Sequence, residues 1–106
     1  MSKIRTIDDR QIGAVLTNGG LSVLLMAAPW DGNGIILRGI IESLAPAFRT
    51  VTFLEADYES CPRMARLFNL LAPPGILFVK DGEMVGRVSG PVSAGRINEL
   101  IRAAIG

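Results

Sequence analysis

Residues 51–90 read VTFLEADYESCPRMARLFNLLAPPGILFVKDGEMVGRVSG, and strand and helix patterns alternate along them. The residues of Thr50–Asp57 favour β structure and predict a strand. Pro62 suits the first position of an α-helix, because the N–H that proline lacks would have no partner there. We expect the apolar side chains of that helix to face inward: Met64, Leu67, Phe68 and Leu71.

The pattern changes after residues 72–75, which read APPG. Two apolar runs follow, Ile76–Val79 and Met84–Ser89, and Asp81-Gly82 lies between them. An Asp-Gly pair between apolar runs is a strong hairpin signal. The sequence therefore predicts two antiparallel strands here.

Working outward, the rest of the chain supplies further elements. We predict strands at Lys3–Thr6 and Leu21–Ala27, the second covered on both faces because it is continuously apolar. Thr6 is predicted to cap a first helix that has Asp8 and Asp9 in its first turn. A second helix is predicted from Gly34 to Ala45, and a last helix is capped by Ser93. The order is β-α-β-α-β-α-β-β-α, an α/β fold with a mixed central sheet and helices on both faces.

Length and composition limit the possible functions. With 106 residues, the chain is predicted to form a single domain, 1–106. The net charge is +1 and no basic run stands out, so we expect no nucleic-acid partner. The charged N-terminus lacks the apolar core of a signal peptide, and the run Val23–Pro29 is too short to span a bilayer. One cysteine cannot form an internal disulfide, so we predict a soluble, cytoplasmic protein without a membrane partner.

The chain resembles the thioredoxin family over nearly its whole length. The resemblance rests on several local matches at the family's spacing: Val23–Trp30, the Asp57-Tyr58-Glu59 turn, Pro62 opening a helix, a proline before an apolar strand, Phe78–Glu83, and Ser89-Gly90 before the last helix. The resemblance implies a thioredoxin fold. It also implies which positions carried chemistry in the family.

Three of those positions depart from the family pattern. Asp31 aligns with the nucleophilic cysteine, Gly34 with the resolving cysteine, and Leu25 with the buried acid. Disulfide exchange needs a thiolate backed by a second thiol, so this chain is predicted to be redox-inactive. We interpret Asp31 as the cap of the second helix.

The cis-proline position of the family aligns best with Pro74, with Pro73 as the alternative. Thioredoxins bind extended substrates through the backbone N–H of the residue before this proline. If Pro74 is the cis residue, that residue is Pro73, which has no N–H. If Pro73 is cis, Ala72 keeps the donor.

Other candidate sites are weaker. Cys61 is a possible reactive thiol, because it precedes Pro62 and a helix N-terminus lowers a thiol pKa; the alternative is an incidental, partly buried residue. Gly32-x-Gly34 resembles the start of a dinucleotide-binding motif, but Leu37 stands where the third glycine is needed, so we do not predict nucleotide binding. Asp31 and Asn33 resemble the start of a calcium-binding loop, but the remaining ligands do not follow in the sequence. No cofactor or metal is expected.

If the resemblance holds, seven residues converge at one end of the sheet, and we call them the Trp30 face: Pro29, Trp30, Pro73, Pro74, Gly75, Gly90 and Pro91. Tryptophan is favoured at binding hot spots. Our main hypothesis is a chaperone, adaptor or assembly factor that binds another protein through this face. The alternatives are a monothiol redox or redox-sensing protein that acts through Cys61, and a structural or oligomerising module.

Overall fold

A computed structural model describes residues 3–106; Met1 and Ser2, which open the predicted domain, lie outside the described residues. Five strands form one mixed sheet: Ile4–Thr6 (β1), Leu21–Ala27 (β2), Thr52–Asp57 (β3), Gly75–Lys80 (β4) and Glu83–Ser89 (β5). The described residues form four α-helices: Ile12–Thr17 (α1), Gly32–Leu44 (α2), Pro62–Leu67 (α3) and Ala94–Ile105 (α4). This element order is the predicted one.

The strands lie in the order β1-β3-β2-β4-β5. β1 and β2 pair with β3 in parallel, as expected where a helix connects consecutive strands. The same expectation is wrong for β4, which follows β3 through α3 but is antiparallel to both β2 and β5. Asp81 and Gly82 both have positive φ, 51° and 85°, as a two-residue hairpin turn requires, so the predicted hairpin is confirmed.

Two apolar cores lie on opposite faces of the sheet. One is packed under α2 and α4, with Leu37 and Ile41 from α2 and Ile97 and Ile101 from α4. The other is packed under α1 and α3. β2 lies at the centre and contributes to both cores, so six of its seven residues are buried, as its unbroken apolar run predicts.

The predicted start of the first helix is wrong. Thr6 belongs to β1, where its hydroxyl donates a hydrogen bond to Glu55. Asp8 is the capping residue instead, and its carboxylate accepts the N–H of Arg10 at 2.9 Å. It caps a 3-10 turn, Asp9–Gln11, and α1 begins only afterwards. Thr6 pairs with β3 and its hydroxyl is engaged by Glu55, so the cap is Asp8, the next residue whose side chain can accept a backbone N–H.

The predicted burial of Leu67 and Leu71 is also wrong. Their exposed fractions are 52% and 84%. α3 ends at Leu67, and Asn69 has a positive φ of 54°, so the helical period does not continue to Leu71. Two other boundaries shift by two residues: α2 begins at Gly32 rather than Gly34, and β3 at Thr52 rather than Thr50.

Candidate functional site at the end of the central strand

Trp30 lies on a tight turn just beyond β2. The Asp31 N–H donates a hydrogen bond to the Ala28 carbonyl at 3.0 Å, and Pro29 occupies the second turn position, which its fixed φ favours. The Trp30 side chain is 68% exposed. Its indole N–H donates to the Glu59 carboxylate at 2.9 Å. The ring is therefore held in one orientation although most of its surface faces solvent.

The sheet register brings the prolines beside this turn. Met26 of β2 pairs with Gly75 of β4, so the residues before Gly75 lie next to the end of β2. The peptide bond between Pro73 and Pro74 is cis, which places Pro74 at the cis position. The Gly90 N–H donates to the Pro74 carbonyl at 2.9 Å and draws the β5–α4 loop to the same place.

The members of the Trp30 face differ in exposure. Pro29, Trp30 and Pro91 are exposed, and Pro73 and Gly90 are half-buried. Pro74 and Gly75 are buried, so they shape the surface without being open to solvent. A side chain at Gly75 would collide with Leu70, since its Cβ would lie 2.5 Å from Leu70 Cδ1.

Leu71 belongs with this surface, although sequence reasoning assigned it to the core. The Tyr58 hydroxyl donates to the Leu71 carbonyl at 2.9 Å, and Tyr58 is adjacent to Glu59, the partner of Trp30. Trp30 and Leu71 are therefore both bonded to the Tyr58-Glu59 segment, Trp30 through its indole and Leu71 through its backbone carbonyl. The only sequence signal for this was Pro73-Pro74 shortly after Leu71, because proline pairs end helices.

Asp31 caps α2. One carboxylate oxygen, Oδ1, accepts the Asn33 N–H at 3.0 Å. The residue is only 8% exposed, and its Oδ2 atom has no hydrogen-bond partner among residues 3–106. A buried carboxylate oxygen without a donor is unusual in a folded protein.

Gly34 lies where α2 comes closest to β2. A Cβ at this position would lie 2.6 Å from the Cβ of Ala27, closer than two carbon atoms pack. The position therefore admits glycine alone unless the helix moves. The sequence gives no sign of this restriction, because it arises from the distance between a helix and a strand.

Cys61 precedes α3 and is 1% exposed. Burial raises the pKa of its thiol, and the carboxylates of Asp9 and Asp57 raise it further, while a hydrogen bond with Ser60 lowers it. Of the two alternatives for Cys61, the burial and the raised pKa agree with an incidental buried residue rather than with a reactive thiol.

A cleft that sequence reasoning missed opens beside α2, over the ends of β1, β2 and β3. Its volume is about 250 Å³. Most of its lining is apolar: Leu25, Ala27, Ala28, Pro29, Gly34, Ile35 and Ala56. The polar residues are Thr6, Arg38, Glu55 and Asp57. Pro29 places the cleft next to the Trp30 face.

Comparison with known proteins identifies the family. The family model for thioredoxin matches residues 5–103. Thioredoxin from Chlamydia trachomatis is 34% identical over 71 residues, which cover 67% of this chain and 70% of the relative. The chain belongs to the thioredoxin family. Bovine thioredoxin is 32% identical over 84 residues, covering 76% of this chain and 80% of its own length.

Solved thioredoxin structures share the fold at low identity. Oxidized mitochondrial thioredoxin 3 from Saccharomyces cerevisiae superposes with a TM-score of 0.84 at 20% identity, covering 94% of each chain. A second solved chain comes from a structure on the thiol resolving mechanism of a yeast mitochondrial 1-Cys peroxiredoxin. It superposes with a TM-score of 0.87 at 20% identity, covering 97% of this chain and 99% of its own length. The thioredoxin fold is thus kept in a chain with a single cysteine, which cannot contain the family's cysteine pair.

Residues 3–106 contain neither a candidate membrane-spanning helix nor a candidate metal cluster. None of their helices is long and apolar enough to cross a membrane. No group of three or more potential metal-ligating side chains occurs among them either.

Proposed function

We propose that this thioredoxin-family protein does not exchange disulfides and instead binds another protein through the Trp30 face, as a chaperone, adaptor or assembly factor would. The observation that carries the proposal is the Trp30 side chain, 68% exposed yet fixed by its hydrogen bond to Glu59. A rigid, exposed indole offers a large apolar contact at little entropic cost on binding.

The surroundings of Trp30 support a protein partner. Leu71, 84% exposed, extends the apolar surface on the other side of the Tyr58–Glu59 loop. Exposed apolar side chains grouped in this way mark interaction sites more often than isolated ones do. Pro73 offers a partner no N–H, so one backbone hydrogen bond of the usual strand-like pairing is unavailable and side chains supply more of the contact.

The residues argue against exchange chemistry. Asp31 has no sulfur and already serves as a helix cap. Gly34 has no room for a side chain. Cys61 is buried with a raised pKa, so its nucleophilic thiolate form is scarce at neutral pH. These three features support the redox-inactive part of the proposal.

Affinity capture from the source organism tests the binding face. The wild type, Trp30→Ala and Leu71→Ala serve as baits, and Val85→Ala is the control because it shortens another exposed apolar side chain, on β5. The captured partner is then purified, and its affinity for each variant is measured by calorimetry. We expect Trp30→Ala to weaken binding about tenfold or more, as for a hot-spot residue, and Val85→Ala to leave it unchanged. Equal affinities for the wild type and Trp30→Ala would remove the proposal's main support.

Insulin reduction with dithiothreitol tests the redox part. We expect the rate to equal that of dithiothreitol alone. Turnover that Cys61→Ser abolishes would favour the monothiol alternative instead. Light scattering after size-exclusion chromatography addresses the oligomerising alternative, which predicts a wild-type oligomer that Trp30→Ala dissociates.

A further inference from the structure

The cleft beside α2 carries more negative than positive charge. The guanidinium of Arg38 donates from Nε and Nη2 to the two carboxylate oxygens of Glu55, at 2.8 and 3.2 Å. Its Nη1 donates to Glu42 at 2.7 Å. Three of the five N–H donors of Arg38 are therefore taken by two carboxylates, and no ion pair between Arg38 and a third carboxylate is found within residues 3–106.

That third carboxylate is Asp57. Its Oδ1 atom accepts the Glu59 N–H at 2.9 Å. Within residues 3–106, no lysine or arginine forms an ion pair with it. Of the three charged side chains that line the cleft, Arg38 and Glu55 pair with each other, and Asp57 is left over. The cleft thus offers negative charge without a matching cation.

The floor of the cleft is apolar and the space is small. Leu25 and Ala27 of β2, Ala56 of β3 and Ile35 of α2 line it. Its volume of about 250 Å³ falls below the roughly 300–1,000 Å³ of small-molecule sites. The space suits a single side chain better than a cofactor. An apolar floor with a carboxylate at the rim matches a side chain with a hydrocarbon stem and a cationic end.

We propose that this cleft receives a lysine or arginine side chain of the partner protein, with the stem along Leu25, Ala27 and Ile35 and the cation at Asp57. The inference rests on the proposed function and specifies the partner's chemistry: a basic residue beside the segment that contacts Trp30. Pro29, which belongs to both the cleft and the Trp30 face, makes the two surfaces continuous.

Titration of ¹⁵N-labelled protein with short peptides tests the inference without a known partner. The probes are acetylated and amidated alanine–lysine–alanine, alanine–arginine–alanine and alanine–norleucine–alanine, the last having the lysine stem without its charge. We expect the two basic peptides to shift the amide signals of Leu25, Ala27 and Ala56 in the millimolar range and the norleucine peptide to bind more weakly. Added salt should weaken binding of the basic peptides alone.

Matched variants separate charge from shape. Asp57→Asn keeps the acceptor for the Glu59 N–H and should weaken binding of the basic peptides about two- to fivefold. Glu83→Gln is the control: it removes a charge on β5 and should leave the affinity for these peptides unchanged. Ile35→Ser removes part of the apolar wall and should weaken binding. Ile36→Ser, which alters an equally exposed residue outside the lining, should not. Equal binding of the lysine and norleucine peptides, an unchanged affinity in Asp57→Asn, or signal shifts elsewhere would overturn the inference.

The two proposals fail separately. If partner binding depends on Trp30 but the cleft does not bind the basic peptides, only the cleft inference is overturned. If the cleft binds the peptides but Trp30→Ala leaves partner binding unchanged, the Trp30 face is overturned as the binding surface. The cleft would then remain a site for basic side chains. The tripeptides are too short to need Trp30, so Trp30→Ala should not alter their binding.

Discussion

Cys61 shows how burial decides the chemistry of a single residue. The residue before a helix is a common place for a reactive thiol, because the helix N-terminus stabilises a thiolate. Here the side chain is 1% exposed and three nearby carboxylates act on it as well, so its pKa is raised.

The raised pKa of Cys61 predicts how stability depends on pH. As pH rises, the unfolded chain loses the thiol proton first, near pH 8.5 for an ordinary cysteine, while the folded protein retains it. The free energy of unfolding should therefore fall from about pH 8.5 upward, and the contribution is fully present below that pH. Urea unfolding of the wild type and Cys61→Ala at several pH values measures it. The difference between the two proteins should depend on pH only above about pH 8; a thiol with an ordinary pKa would give parallel curves.

At the scale of elements, α3 depends on a residue far away in the chain. The two carboxylate oxygens of Asp9 accept the N–H groups of Arg63 and Met64 at 2.9 and 2.8 Å. Cys61, at the capping position itself, makes no side-chain cap bond. Asp9 therefore caps a helix more than fifty residues later and ties the first 3-10 turn to α3.

Removing this remote cap should destabilise the protein. We expect Asp9→Ala to lower the free energy of unfolding by about 1–2 kcal/mol, because two N–H groups lose their acceptor. Asp9→Asn retains one amide oxygen and should lose less. Urea unfolding at pH 7 measures both. An Asp9→Ala variant as stable as the wild type would mean that water accepts the two N–H groups of α3 as well as Asp9 does.

The contact of α2 with β2 makes a second prediction for an element pair. Gly34→Ala should lower the free energy of unfolding by about 1–3 kcal/mol, because its Cβ would lie 2.6 Å from Ala27 Cβ. Gly39→Ala in the same helix is the control, since a Cβ there meets nothing within 4 Å; it should stabilise by up to about 1 kcal/mol. Ala27→Gly should offset much of the loss caused by Gly34→Ala. Additive effects of the two substitutions would contradict the clash.

Local signals in the sequence were sufficient for most elements and for part of the site. The apolar run of β2, Pro62, the Asp81-Gly82 turn and the Ser93 cap each specify their own element, and the structure agrees. Features that depend on distant residues could not be predicted. The Asp9 cap, the close approach at Gly34 and the Arg38–Glu55 pair join residues that are remote in the chain. The exposure of Leu71 was missed because the helix ended one turn early.

At the scale of the whole molecule, the thioredoxin fold and thioredoxin chemistry have separate requirements. The sheet and its two cores need the apolar faces of five strands and four helices. Exchange needs two thiols, space for the second of them and a nearby acid. This chain keeps the residues that the fold needs, whereas the resemblance aligns Asp31, Gly34 and Leu25 with the positions that exchange needs.

Restoring the two sulfurs alone should therefore not restore exchange. In Asp31→Cys with Gly34→Cys, the helix loses its cap, the second side chain collides with Ala27, and Leu25 supplies no acid. We expect insulin reduction far slower than that of bovine thioredoxin, and some gain when Ala27→Gly is added. A rate equal to that of bovine thioredoxin from the two cysteines alone would show that space and the acid are dispensable.

The half-buried Pro73 carries a consequence for selectivity. A strand that adds to another by backbone pairing accepts many sequences alike, since every residue presents the same amide group. Because Pro73 gives no N–H, one of these backbone contacts is missing, and more of the discrimination falls to indole, leucine and carboxylate groups, which respond to the identity of each neighbour. Such a surface would bind few partner sequences, and small changes in a partner's sequence would be enough to abolish binding.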